Sequence, residues 1–210
     1  MNSEHYILCE LSSTLNNAIA FTESLASNTA DQNSAALLTF RNRVRNELTL
    51  IQNRLIPLYG DKVVSYIIFP QVALIDERCK IAIAQSQQGL TWTNLQIEFF
   101  QINNGGEYVF DVIDEVVRNR IYPRLAYESL LMVLNQGFLG KYYDNPNHAE
   151  LFNCIHQLKQ RLNEIVQESP APTREHTRSM SSRSSGGWIQ YGGYMATAAI
   201  LIPIALFFAF

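Results

Sequence analysis

Four side chains able to do metal or acid–base chemistry crowd one short stretch: His148, Glu150, Cys154 and His156. Imidazole, carboxylate and thiolate are the usual ligands of a zinc-type site. The spacing argues against one. His148 and His156 are eight residues apart. On a helix that is two turns, about 12 Å along the axis, so one ion cannot hold both. Neither HExxH nor CxxC occurs, and there is no G-x-S-x-G. Gly105-Gly106 lacks the Lys-Ser/Thr that a phosphate cradle needs. The expectation is ordinary surface histidines, no metal, no cofactor and no enzyme; a metal-dependent enzyme using the His148/His156 region is the competing class.

Paired carboxylates are the remaining candidates: Asp76-Glu77 and Asp114-Glu115. Adjacent residues on a helix point about 100° apart, so neither pair automatically shares a proton. Asp76-Glu77 stands out because its surroundings, VALIDERCKIAIA, are strongly apolar. Such a pair serves as a docking site or as an internal salt bridge with Arg78 or Lys80, and sequence leaves both open. A fold gains little from two exposed-prone charges on an apolar helix. Asp76 and Glu77 are therefore the expected partner-binding residues, replaceable without much loss of stability.

The elements that must position these groups read as helices throughout. Leu8, Leu11, Leu15, Ala18, Thr22 and Leu25 recur at three- and four-residue steps, predicting a helix over about Ser3–Ser27. Leu37, Phe40, Val44, Leu48, Ile51 and Leu55 predict a second, ended by Pro57 and Gly60. Asp61 caps a third that runs to about Gln87 with a bend at Pro70. A turn at Gly89–Thr93 precedes a short helix over about Asn94–Ile102. After the Asn103–Gly106 break, Glu107 opens a helix, its carboxylate at the positive end of the dipole. Pro123 begins the next, which ends at Gly137. Asn145-Pro146 starts the last, with Leu151, Phe152, Ile155, Leu158, Leu162 and Ile165 as its buried stripe. The predicted class is all-α, about seven helices over residues 1–167, without internal repeats. Gly106 and Gly137 are expected at positive φ, where a β-branched residue would be strained.

Residues 168–187, ESPAPTREHTRSMSSRSSGG, read as a linker. Residues 188–210, WIQYGGYMATAAILIPIALFFAF, carry no charge and are long enough to cross a bilayer. Trp188, Tyr191 and Tyr194 suit the headgroup level, and membrane helices tolerate Pro203. Arg174, Arg178 and Arg183 precede the span, so the positive-inside rule puts the N-terminal domain in the cytosol. The expected topology is a single-pass tail anchor. Gly192, Ala196 and Ala199 fall on one face of that helix with Pro203, a strip of small residues suited to close packing against a partner's helix or a second copy.

A formal net charge of -3 and no Lys/Arg run argue against nucleic-acid binding. Cys9, Cys79 and Cys154 are odd in number and far apart, fitting reduced, buried thiols in a cytosol. Met1–Leu11 carries Glu4, His5 and Glu10 and no basic n-region, so no signal peptide is expected there.

Three segments together resemble one family. Ala73-Leu74-Ile75-Asp76-Glu77 resembles its ALIDE-type motif. Trp92 followed by Gly105-Gly106-Glu107-Tyr108-Val109-Phe110 resembles its W…GGExFF segment. Leu134-Asn135-Gln136-Gly137-Phe138-Leu139-Gly140-Lys141-Tyr142 resembles its LSLGFxGRY segment. Order and spacing agree, as does one anchor after a helical domain. The family is DotU/TssL (IcmH), inner-membrane components of bacterial type VI and type IVB secretion systems. Departures are Asn135-Gln136 for Ser-Leu, Lys141 for Arg and Val109 for the first aromatic; the peptidoglycan-binding extension of some members is also missing. The resemblance implies two small helical bundles with a cleft between them. It also implies a non-catalytic scaffold for the type VI complex (or a type IVB stabilising subunit), an IcmF/TssM-type inner-membrane partner, and contacts with cytosolic baseplate components. Independently of the family, Trp92, Gly105, Gly106, Glu107, Phe110, Gly137, Phe138, Gly140 and Tyr142 read mainly as determinants of the fold.

Overall fold

The computed structural model describes residues 3–25 and 30–168. The expected linker, the apolar span and its Gly192, Ala196 and Ala199 face lie outside the described residues. The described chain is helical, with no strand among those residues. It consists of α1 (Ser3–Ser24), α2 (Ala30–Ser86), α3 (Leu95–Phe100), α4 (Gly105–Arg118), α5 (Arg124–Asn135), a 3₁₀ turn at Gly140–Tyr142, and α6 (Ala149–Glu168).

The organising element is α2, 57 residues long. Its one non-helical residue is Gly60, at φ 76 and ψ 162. The sequence counted two helices here, and the boundary it drew at Pro57–Gly60 is where the torsions break. No such break occurs at Pro70, where a bend was expected: torsions stay helical and the ring is buried in the core. A positive φ with an extended ψ is essentially confined to glycine. Because nothing lies within 4 Å of a Cβ built on Gly60, Gly60→Ala isolates the backbone term. The expected result is a loss of about 1–3 kcal/mol in denaturant unfolding with the fold otherwise intact.

α2 packs on α1, α3, α4 and α5. Residues 1–170 cluster as one compact unit. Within it α2 packs on most of the other helices and α1 also packs on α5, with Gln136 Nε2 donating to Asn16 Oδ1 at 3.2 Å. The core is one cluster, from Ile7 and Leu11 on α1 through Phe69 and Ile75 on α2 to Leu130 on α5 and Leu158 on α6. A stretch of α2 is apolar enough to cross a membrane by composition, yet 56% of it is buried inside the fold, as befits a core helix surrounded by others.

Three local expectations need correction. α6 begins at Ala149, not at Pro146, because residues 145–148 form turns in which His148 N–H donates to the Asn145 carbonyl at 3.0 Å. Phe152 is 56% exposed; the buried face of α6 is Leu151, Cys154 and Leu158. Cys9 is exposed, while Cys79 and Cys154 are buried.

Candidate functional site

Three consecutive charged residues on α2 hold three different parts of the chain. Asp76 is 1% exposed. Its Oδ1 accepts from Trp92 Nε1 at 2.7 Å and from the Leu95 amide at 2.9 Å. Its Oδ2 accepts from the Gln96 amide at 2.9 Å. Leu95 and Gln96 open α3, whose first amides have no partner inside the helix. The Asp76 carboxylate supplies that cap from another helix, since Asn94 makes no side-chain capping bond.

Glu77, half-buried, accepts from the Leu139 amide at 3.1 Å and the Gly140 amide at 2.7 Å. Arg78 turns to the end of α5, where Nη2 donates to the Gln136 carbonyl at 2.6 Å and lies 3.5 Å from that of Gly137. The pair is therefore neither a free docking charge nor a salt bridge with Arg78 or Lys80. Sequence reasoning weighed only other side chains as partners, whereas the acceptors and donors here are mostly backbone. Burial pushes both carboxyls above the ordinary carboxylate range, and the N–H donors pull them back part of the way.

The glycines make these joints possible. α5 ends with Gly137 N–H donating to the Leu134 carbonyl at 3.0 Å and Phe138 N–H donating to the Val133 carbonyl at 3.3 Å. This is a Schellman end, and Gly137 has the required positive φ of +84. Gly140 also has positive φ, +49, and a Cβ there would meet the Gly106 carbonyl oxygen at 2.4 Å. Gly106 itself lies in α4 and is not at positive φ, contrary to expectation. Its requirement is close approach, since its Cβ would sit 3.3 Å from the Gly140 backbone. A Cβ on Gly105 would overlap Gln96 Oε1 at 1.9 Å. So the first turn of α4 lies directly against both the 3₁₀ turn and α3.

Aromatic rings fill the space behind these crossings. Phe138 is buried and stacks on Phe110 with centroids 6.0 Å apart. Phe110 meets Tyr142 edge-on at 4.8 Å. Lys141 Nζ stands 5.2 Å from both the Phe110 and the Tyr142 ring centres. Glu107 is exposed at the start of α4, 3.5 Å from Asn104 Nδ2. Together the segments frame a cleft of about 260 Å³ with Asp76 and Glu77 at its floor and Lys80, Asn103, Gly106 and Tyr143 among its lining. Gln96 and Tyr143 were not singled out from sequence, and Lys80 and Asn103 were named there only as a salt-bridge candidate and a helix break; the Gln96–Gly105 approach is invisible without the fold.

The histidine region has a structural role. His148 stacks on Tyr142 at 4.8 Å, and its Nδ1 accepts from the Glu150 amide at 3.2 Å, capping α6. Tyr142 O–H donates to Glu150 Oε2 at 2.7 Å. Among the described residues, no group of three or more His, Cys, Asp or Glu side chains could hold a metal ion.

An all-α domain whose charged and glycine motifs are spent on joints between helices is a structural, assembly type of protein. The family model described as Type VI secretion system protein DotU matches residues 10–210, and the chain belongs to that family, whose members are secretion-system membrane components. Among solved structures, DotU from Francisella novicida is 28% identical, with a TM-score of 0.64 over 70% of this chain and 95% of that one. SciP/TssL from Escherichia coli Enteroaggregative 042 is 18% identical, with a TM-score of 0.52 over 89% of this chain and 99% of that one, a likeness of fold. No curated protein matches the chain.

Proposed function

We propose that this chain is a tail-anchored structural subunit of a type VI secretion membrane complex, inserted once in the bacterial inner membrane with its helical domain in the cytoplasm. The observation that carries the reading is the convergence of the three family segments on Asp76, Glu77 and Arg78 of one helix. A part that recruits others must present its surface in a fixed shape, and these joints fix α3, the end of α5 and the 3₁₀ turn relative to α2. Asp76 and Glu77 serve partner binding through the cleft they floor rather than through free charge. A segment of a cytosolic baseplate component seated there would meet Lys80, Asn103 and Tyr143 at the rim. The apolar residues 188–210 anchor the chain. Their Gly192, Ala196 and Ala199 face packs on the membrane helix of the large IcmF/TssM-type partner or of a second copy.

Topology is the direct test. The full chain should remain in the membrane pellet after alkaline extraction, and a chain ending at Gly187 should be soluble and helical. If the truncated chain still pellets after a salt wash, residues 188–210 are not the sole anchor.

A further inference from the structure

Between α4 and α5, the sequence Arg118-Asn119-Arg120-Ile121-Tyr122-Pro123-Arg124 makes a turn with an unusual tip. Ile121 is 82% exposed, more than any other large apolar side chain among the described residues. A lone exposed isoleucine needs no explanation by itself, but this one is held out by rigid neighbours. Tyr122 next to it is buried and donates its hydroxyl to Glu115 Oε1 at 2.9 Å. Tyr127 O–H reaches the Asn119 carbonyl at 3.3 Å and the Val116 carbonyl at 3.0 Å. Asn119 Nδ2 donates to the Glu115 carbonyl at 3.1 Å. Both sides of the turn are pinned while its tip stays in solvent.

Arg118, Arg120 and Arg124 flank that tip in sequence and are all exposed. Arg118 has no salt-bridge partner among the described residues. Arg120 and Arg124 pair with Glu164 and Glu128, but their side chains are 67% and 51% exposed, and exposed pairs of this kind exchange partners readily. The Arg120–Glu164 bridge, and Arg161 Nε donating to the Val117 carbonyl at 3.1 Å, put the turn beside the last part of α6. That helix ends at Glu168, with Val166 exposed near its end. Only residues 169–187 separate it from Trp188, a reach of at most about 65 Å even fully extended. An exposed apolar tip flanked by exposed arginines is the chemistry of a membrane surface: cations for anionic headgroups, a branched alkyl group for the acyl boundary.

We propose that the Arg118–Arg124 turn docks the helical domain on the anionic headgroup surface of the bilayer, with Ile121 inserted at the acyl boundary. The proposal rests on the membrane reading above and adds a second contact that sets the orientation of the domain. Each basic residue close to an anionic surface strengthens attachment about fivefold, so a chain already tethered needs no more than these three to stay docked.

The test uses the full chain carrying Cys9→Ser and Ile121→Cys, labelled at position 121 with an environment-sensitive fluorophore; Cys79 and Cys154 are buried. It is reconstituted in vesicles of equal parts phosphatidylglycerol and phosphatidylcholine, and in phosphatidylcholine alone, each containing a headgroup-level quencher lipid. The expected result is a blue-shifted, quenched probe in the anionic vesicles. Quenching should fall at least about threefold in phosphatidylcholine, in the variant Arg118→Glu/Arg120→Glu/Arg124→Glu, and for a probe placed instead at Leu38. An inserted chain whose probe is equally unquenched in both vesicles, or equally quenched in the triple variant, overturns the proposal. So does a probe shielded only when other secretion proteins are added, which would make the turn a protein contact. If alkali extracts the chain, the anchor reading fails separately. Pelleting of that chain with anionic vesicles alone would then still support docking, and its absence would overturn it.

Discussion

Asp76→Ala should destabilise the helical domain by about 3–5 kcal/mol, because removing one partner of a buried, charge-assisted network strands the others. Three donors lose their acceptor together: the Trp92 indole N–H and the amides of Leu95 and Gln96. Neither amide can turn to an intrahelical acceptor, since both sit in the first turn of α3. The Trp92 ring, which packs against Phe40 at a centroid distance of 6.2 Å, would lose its tether as well. Asp76→Asn is the discriminating variant. Its shape is conserved, but an amide offers one acceptor oxygen, so an N–H group must face another N–H. It should lie between wild type and Asp76→Ala in urea unfolding followed by far-UV circular dichroism. Wild-type melting of Asp76→Ala would restore the docking-charge reading that the sequence suggested.

Gly140→Val should cost at least about 3 kcal/mol, combining backbone strain with overlap that cannot relax cheaply. The residue sits at φ +49, and its Cβ would meet the Gly106 carbonyl oxygen at 2.4 Å and the Phe138 ring at 2.8 Å. The first obstacle is backbone, so relief requires α4 and the 3₁₀ turn to part. That movement would pull the Gly140 amide off Glu77. Gly106→Val should be milder. Its contacts with the Gly140 backbone lie at 3.3 Å and its own torsions are helical, so the loss reports crowding without strain. Thermal unfolding of the two variants separates the mechanisms: equal losses would mean that the positive φ of Gly140 contributes nothing.

The helices were legible because their signal is local. Periodic apolar residues marked α1 and both halves of α2, and glycine and proline marked the break at Gly60 and the end of α5. The start of α6 was misread because Asn145-Pro146 has the right residue types for a helix start, while His148 supplies the cap three residues later. Phe152 was placed in the core because it fits a helical stripe loosely, and only packing decides which edge of a stripe is covered. The burial of Asp76-Glu77 was not legible for a deeper reason. A charged pair looks surplus on an apolar helix when the unpaired amides it satisfies lie up to 63 residues away in sequence. Those amides carry no side-chain signature, so their need for an acceptor becomes visible only in three dimensions. The glycine motifs showed where the chain turns tightly, yet not that Gly106 and Gly140 touch each other.

What co-purifies with the full-length chain from its own membrane tests the assignment most directly. The chain, affinity-tagged at its N-terminus and solubilised in mild detergent, should bring down a large inner-membrane protein of the IcmF/TssM type together with cytosolic baseplate components. Loss of the baseplate components in Asp76→Ala, with the membrane partner retained, would place recruitment in the helical domain. A chain that comes out alone, from membranes in which the secretion machine is assembled, would contradict its role as a structural subunit of that machine.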